Sequence, residues 1–529
     1  MPHFRKITGS VRQSAQNSED ELFKYTSGRW IYNEHLRLKE RYLEFSVPAL
    51  KKAIAAAYGH STSDIISFFK FSEGGFNRLF QATFNDGKQI IARIPYPSTG
   101  PEHYAVASEV ATMDYLRLHG ITTPEVYCWC STRANPVGAE YIIMEKLDGT
   151  PLGDVWFMLT PKEQHRIMKQ IVKWETRLMS LKFPASGSIY YRKDVLSGEV
   201  VPLPDNSHKF WLSSHDVFHA VGERELKWAQ TYAKPRLPYE RLYREIHNFC
   251  QVSPDSHIKN LSDNLTLARC LGFKSGSSLN RPVIRHPDLQ PNNILVSKTN
   301  KIIGLIDWQH SAILPHGIVA GIPKHFQNYG DSESEKLLEP QINLPPNYDS
   351  LDLPEQIQVR ETIRRRLVHF LYADFTKHLN EEHYDAIFNQ SVILLQRLFH
   401  SAGTPWEGDS TTLRADMIRA IQNWPNFITE DSLEHDKRIC TKPPLEYPDT
   451  VIHDTIHVDT QQRAADTVME QTRNVLGVDI LGWVPNDEYE AAKEMAREIK
   501  IKMLEAAETC GDITGIQNHF PFEDFDEKS

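Results

Sequence analysis

Residues 286–315 read HPDLQPNNILVSKTNKIIGLIDWQHSAILP, and no other segment constrains the chain as tightly. A polar knot, HPDLQPNN, is followed by ILVSK, then TNK, then the apolar run IIGLI, which ends on Asp307. Two short apolar runs around a polar turn predict a buried hairpin. Such a hairpin returns the chain to its start and sets Asp307 beside the loop that carries Asp288 and Asn293. A polar loop alone needs no second carboxylate, whereas a metal–nucleotide site does. In that reading Asp288 orients a hydroxyl and accepts its proton late in transfer, and Asn293 and Asp307 offer hard oxygens to Mg2+. Taken singly, each group has a plainer use: His286 can tie the loop, Asp288 and Asn292 can cap turns, and Asp307 can satisfy backbone amides.

The segments ahead of this hairpin supply the other half of the pattern. IISFFKFSEGG, FNRLFQATFNDG and KQIIARIP predict three short strands, and Asn85-Asp86-Gly87 predicts an antiparallel hairpin between the last two. VYCWCS and EYIIMEKL add two more strands, and residues 47–59 and 102–120 read as helices that end on glycine. Residues 60–147 are thus expected to form a small antiparallel sheet with one intercalated helix. Within it, Gly74 and Gly75 in SEGGFN let backbone approach a ligand, with Asn77 just beyond, and exposed amides there can bind phosphate oxygens. A simple Gly-Gly turn reads equally from these residues. Arg93 in IIARIP and Glu109 in the next helix are a candidate ion pair that would aim a guanidinium at phosphates. In YIIMEKLDG, the backbone around Glu145 and Leu147 is placed to hydrogen-bond an adenine, with Ile142 and Met144 against the ring.

After Leu147 the texture becomes helical. Residues 161–182, 355–400 and 486–508 carry helical patterns, 185–280 is broken by Gly, Pro and Ser into shorter pieces, and 331–350 reads as an acidic, proline-containing loop. The domain reading is a tail (1–20), an extension and helix (21–59), a nucleotide-binding small lobe (60–147), a large lobe (148–410) and a helical extension (411–529) ending in a solvated acidic tail. Tyr190, Tyr191, Phe210 and Trp211 are candidates to line an acceptor pocket.

Composition removes some classes of function. The formal charge of -10 argues against a large basic nucleic-acid surface. No run of about 18 apolar residues is present, so no membrane-spanning helix is expected. The six cysteines are sparse. Only Cys128 and Cys130 are close, no second pair completes a zinc clamp, and reduced, scattered thiols in an intracellular compartment are expected. The first residues carry Arg5, Lys6 and Arg12 with no acid before Glu19, which fits a mitochondrial presequence or an ordinary tail. Oligomeric state is not legible.

In FSEGGFNRLF, IARIPYP, HPDLQPNNILV and LIDWQHSAILP the chain resembles the aminoglycoside phosphotransferase/choline kinase-like superfamily. With FKYTSGRWIYNEHLRLKERY (23–42) added, it looks closest to the fungal altered-inheritance-of-mitochondria protein 9 group. The resemblance implies an α+β, bilobal protein-kinase-like fold, with a small antiparallel-sheet lobe and a larger, mostly helical one. It implies ATP and Mg2+ as cofactors, an unidentified small-molecule hydroxyl acceptor, and a mitochondrial or cytoplasmic setting. The family's H-G-D-x4-N loop carries onto His286, Asp288 and Asn293, with Pro287 in place of glycine. Its I-D-W/F element carries onto Ile306, Asp307 and Trp308, and its phosphate loop onto Gly74, Gly75 and Asn77. Arg93 stands where lysine is frequent, and Gln290 and Asn292 depart from the common H-P-G-N form. These departures keep open a catalytically weak nucleotide-binding protein as the alternative. Protein phosphorylation fits less well, because no A-P-E ending follows IDW. Nothing in the sequence marks an acidic pocket for aminoglycosides.

Overall fold

The computed structural model describes residues 19–195, 213–274, 276–427 and 440–529. The presequence reading, and Phe210 and Trp211, lie outside the described residues.

The helix Val47–Ala57 (α1) starts where the Ser46 side chain accepts from the Ala49 N–H, with a proline in its first turn. It covers one face of a five-stranded antiparallel sheet: Ile65–Glu73 (β1), Asn77–Phe84 (β2), Gln89–Pro95 (β3), Val126–Cys130 (β4) and Tyr141–Glu145 (β5), in the order β1-β2-β3-β5-β4. The Asn85-Asp86-Gly87 turn joins β2 to β3 as expected: the Gly87 N–H donates to the Phe84 carbonyl at 2.9 Å, and Gly87 takes φ +84°, a conformation open to glycine.

Alternation along β3 decides which side chains reach the cleft. Ile90, Ala92 and Ile94 pack under α1 with Phe80, Phe84 and Ile143. Ile91 points the other way, into a core shared with Ile142 and Met144 of β5, and Arg93 stands on that same face. The shared core continues through the helix Tyr104–Leu118 (α2) and the helix Pro161–Met179 (α3). It also takes in the strands Ile294–Val296 (β6) and Ile302–Leu305 (β7), Trp308, and the helix Leu353–Leu379 (α6 below). One hydrophobic core therefore spans both lobes and fixes the cleft between them.

The large lobe departs from expectation in places. Ser214–Tyr232 (α4) and Asp255–Ala268 (α5) are full helices where shorter pieces were expected, and they pack on each other. Leu353–Leu379 (α6) is a 27-residue helix lying against α3. Gln390–Ala402 (α7), Thr411–Gln422 (α8), the 28-residue Asp449–Leu476 (α9), Tyr489–Glu505 (α10) and Cys510–His519 (α11) follow, with the short helix Glu381–Phe388 between α6 and α7. Among the described residues no helix is long and apolar enough to cross a membrane.

One expectation holds only in part and one is corrected. The acidic end keeps Glu523, Asp524 and Asp526 exposed but is docked on the body: Phe520 and Phe522 are buried, the Asn33 N–H donates to Asp524 Oδ1 at 2.5 Å, Asn33 Nδ2 reaches the Phe525 carbonyl at 3.0 Å, and Arg37 pairs with Glu527. The two ends of the chain further pair as a short antiparallel ladder, Arg29 opposite Val484 and Trp30 opposite Trp483. The thiols are not all reduced: Cys270 and Cys440, 170 residues apart, form a disulfide, while Cys128, Cys130, Cys250 and Cys510 are free.

Candidate active site

The polar loop hangs from a buried ion pair. Arg285 leaves a short strand, Pro282–Ile284, and donates to Glu175 of α3 from Nε at 3.0 Å and from Nη2 at 2.5 Å. The Tyr372 hydroxyl of α6 donates to the other Glu175 oxygen at 2.5 Å. Burial, then the Glu175 charge, hold that phenol far above its ordinary range. Next in the chain, His286 can hold only one tautomer: the Asp288 N–H donates to its Nδ1 at 3.2 Å, so Nε2 carries the proton given to the Ile306 carbonyl at 2.8 Å. Burial lowers the pKa of the ring, which keeps it neutral. His286 thereby ties the loop to the end of β7, and its ring packs on buried Trp308 at 4.5 Å.

Asp288 is exposed at the loop's crest and accepts from Gln290 Nε2. Asn293 is buried below it and donates from Nδ2 to the Asp288 carbonyl at 2.9 Å and to its Oδ2 at 3.3 Å, leaving Oδ1 for another partner. Asn292, beside it, packs so closely that a Cβ on Gly153 would lie 1.8 Å from its Oδ1.

The hairpin forms as the sequence predicts. β6 and β7 pair antiparallel, Ile294 opposite Leu305, and the Ile306 N–H donates to the Asn293 carbonyl at 3.0 Å. One residue on, Asp307 sits at φ +66°, a left-handed backbone rare outside glycine that clusters at functional sites. Its carboxylate is 47% exposed and accepts from Arg93 Nη2 at 3.1 Å.

Arg93 is the junction between the lobes. It is buried, pairs with Glu109 of α2 as expected, and also donates to Gln309. Gln309 accepts in turn from Asn77 Nδ2 at 2.5 Å. Burial, opposed by Arg93, raises the Glu109 carboxyl to about 7. Sequence reasoning missed Gln309; its only signal is a place two residues after Asp307. It also missed Glu175 and Tyr372, which come from distant helices.

The remaining expected residues lie around this junction. Gly74 and Gly75 form the tip between β1 and β2, closed by the Gly74 N–H to the Asn77 carbonyl at 2.9 Å. Neither has positive φ, and a Cβ on Gly75 would meet nothing within 4 Å, so turn geometry does not demand glycine there. The Glu145 N–H is taken by the Glu125 carbonyl at 2.8 Å, and its side chain lies 3.6 Å from Arg117, away from the cleft. The Leu147 carbonyl accepts from Gly149 at 3.1 Å, while the Leu147 N–H has no partner among the described residues. That open donor is the sort a purine edge uses. Tyr190 and Tyr191, in contrast, face the small lobe: Tyr191 stacks on Trp129 at 5.6 Å and donates to Asp114, and Tyr190 meets Tyr104 edge-on. They do not line the cavity beside Asp288.

Besides the Asp288 carboxylate, the loop and hairpin offer two further oxygen donors, Asn293 Oδ1 and the Asp307 carboxylate. Among the described residues no group of three His, Cys, Asp or Glu is placed to hold a metal alone. Such a set suits Mg2+, which takes one or two protein oxygens and completes its shell with water and substrate phosphates.

Residues 70–315 match the phosphotransferase enzyme family. A subtelomeric hrmA-associated cluster protein of Aspergillus fumigatus is 31% identical over 512 residues, covering 87% of this chain and 97% of the relative. Altered inheritance of mitochondria protein 9, mitochondrial, of Clavispora lusitaniae is 22% identical over 571 residues, covering 93% of this chain and 90% of that protein. Among solved structures, a Plasmodium vivax ethanolamine kinase is 13% identical with a TM-score of 0.34, over 80% of this chain and 98% of that one. The small antiparallel sheet, the large helical lobe and the loop and hairpin between them define a bilobal kinase-like protein. The chain belongs to the family of the Aspergillus fumigatus hrmA-associated cluster protein, and within it residues 70–315 carry the match to the phosphotransferase enzyme family. Similarity to the altered-inheritance group extends across most of the chain but is lower than to the Aspergillus protein, so the reading of that group as the closest is not supported.

Proposed function

We propose that the protein transfers the γ-phosphoryl group of ATP to a hydroxyl of a small molecule. The observation that carries this reading is the hairpin contact from the Ile306 N–H to the Asn293 carbonyl, which gathers Asp288, Asn293 and Asp307 at one end of the cleft. Asp288 orients the acceptor hydroxyl and takes its proton as the new bond forms. Asn293 and Asp307 hold Mg2+, which when bound offsets charge on the transferring group. Arg93, kept in place by Glu109 and Gln309, reaches the phosphates from the small lobe, and the tip at Gly74 and Gly75 closes over them. The Leu147 N–H receives the base. His286, Glu175 and Tyr372 position the loop without touching substrate.

A second reading, a nucleotide-binding protein of little or no catalytic power, draws on the contact between Arg93 and Asp307, since a cation already engages the proposed metal ligand. A mitochondrial setting is supported by the relatives that carry that word in their names.

Purified protein incubated with Mg-ATP and a metabolite extract, followed by mass spectrometry, tests the first reading. New phosphorylated small molecules that vanish with Asp307→Ala support it. ATP binding without such products or nucleotide turnover favours the second reading, and product on proteins alone would point to a protein kinase.

A further inference from the structure

A cavity of about 340 Å3 opens beside Asp288, and every residue lining it comes from the large lobe, between Arg285 and His325. Asp288 lies on its wall, and His310, also on the wall, meets Phe76 beside the glycine tip edge-on at 5.8 Å. Its volume falls in the range of small-molecule sites.

Charge decides what such a cavity accepts. Asp288 is the one carboxylate on its described wall. Arg285 is already matched by Glu175 and counts for nothing further. Lys324 lines the cavity, is exposed, and makes no ion pair or hydrogen bond among the described residues. Behind it stand Arg364 and Arg365, which share a single carboxylate, Glu361, at 2.5 and 2.8 Å. His325, also on the wall, feels all of these charges: burial lowers its pKa, Asp288 opposes that, and Arg364, Lys324 and Arg365 act in the same direction as burial. On the wall itself Lys324 is thus the cation left without a partner among the described residues, and Asp288, the one carboxylate, is the proposed base. A cationic acceptor would leave Lys324 unmatched and be repelled by it. The rest of the wall sets apolar groups, among them Pro287, Leu289, Leu314 and Val319, beside the imidazoles of His286 and His310.

We propose that the acceptor is an anion, a hydroxyl compound with an apolar body and a carboxylate or phosphate group, its hydroxyl at Asp288 and its charge at Lys324. This rests on the phosphotransferase reading above. The acceptor oxygen forms a bond to the γ-phosphorus as the bond from that phosphorus to the β,γ-bridging oxygen breaks. ADP leaves with the electron pair, and the hydroxyl proton passes to Asp288 and on to water.

A metabolite extract split by ion exchange into an anionic pool and a neutral-plus-cationic pool tests this, each pool being incubated with the protein, Mg2+ and γ-labelled ATP. Labelled product should come from the anionic pool only. Lys324→Gln, a change at an exposed side chain, should raise the apparent KM for that pool at least tenfold with kcat little altered, and Lys324→Arg should restore it. Prior phosphatase treatment of the pool separates the two anions: loss of product identifies a phosphate ester, retention a carboxylate. Product from the neutral-plus-cationic pool, or an unchanged KM in Lys324→Gln, would overturn the anionic acceptor while leaving phosphoryl transfer intact. No product from either pool overturns both.

Discussion

Arg93 of the small lobe donates from Nη2 to the Asp307 carboxylate of the large lobe at 3.1 Å, across 214 residues of sequence. The same guanidinium pairs with Glu109 and donates to Gln309, so one planar fork links a strand, a helix and the end of the hairpin. Lysine offers a compact point charge and cannot span all three partners. Arg93→Lys is expected to keep the Glu109 pair, lose the tie to Asp307, and weaken Mg-ATP binding about tenfold, or about 1.4 kcal/mol, in a titration with a fluorescent ATP analogue. Arg93→Ala leaves Glu109 buried without its cation and is expected to cost about 3–5 kcal/mol of stability by urea unfolding. Unchanged nucleotide affinity in Arg93→Lys would remove Arg93 from the phosphate site.

Glu175 joins Arg285, at the root of the polar loop, to Tyr372 of α6, and all three are largely or fully buried. Removing one member strands the others away from water. Glu175→Ala is expected to lose about 3–5 kcal/mol in urea unfolding, with turnover falling as the loop loosens. A loss below 1 kcal/mol would mean that the loop is held by other contacts.

Gly153 leaves no room for a side chain beside Asn292. Gly153→Ala forces the Asn292 side chain, though not its backbone N at 3.5 Å, to turn aside next to Asn293, at a cost of about 1–3 kcal/mol. The expected outcome is a fall in kcat larger than any change in KM for ATP, since the displaced group adjoins the proposed metal ligand and not the base site. Kinetics matching the parent protein would contradict the packing described here.

His316 and His383 are both buried and meet Nε2 to Nδ1 at 3.0 Å. Burial depresses both rings, His316 to about 4 and His383 well below its ordinary value, and Arg285 adds to the effect at each. In the unfolded chain each imidazole gains its proton near pH 6.5, so between about 6.5 and 4 the unfolded state binds more protons. Stability is therefore full above pH 6.5 and is lost as pH falls through this window, by up to about 1.4 kcal/mol per pH unit for each ring. Urea midpoints compared at pH 7 and pH 5 should drop less in His316→Gln than in the parent protein. Equal drops would show that His316 does not titrate on unfolding.

Much of the cleft was legible because it is built from local patterns. Alternation in IIARIP puts Arg93 on the face opposite Ile90, Ala92 and Ile94, Asn85-Asp86-Gly87 specifies its turn, and two apolar runs around Thr299–Lys301 specify the hairpin that carries Asp307. What escaped depends on distant partners or on a polar buried face. The helix Asp449–Leu476 buries Thr455, Asp459 and Gln462 as well as Met469 and Leu476, so it shows no clean apolar stripe, and Asp459 is matched by Arg419 and Arg463. The acidic end is exposed at Glu523, Asp524 and Asp526 as its composition suggests, but its docking depends on Asn33 and Arg37, nearly 500 residues earlier. Gln309 gains its meaning only once Asn77 and Arg93 are beside it.

The most direct test of phosphoryl transfer at this loop is the yield of phosphorylated metabolites from Mg-ATP and extract, measured by mass spectrometry for the parent protein and for Asp288→Asn. Asp288 is exposed, so the amide is tolerated by the fold, and Mg-ATP binding should persist. Loss of the proton acceptor is expected to lower the yield by about 10²–10⁴-fold. Undiminished product from Asp288→Asn would contradict the assignment of this loop as the place where the hydroxyl is activated.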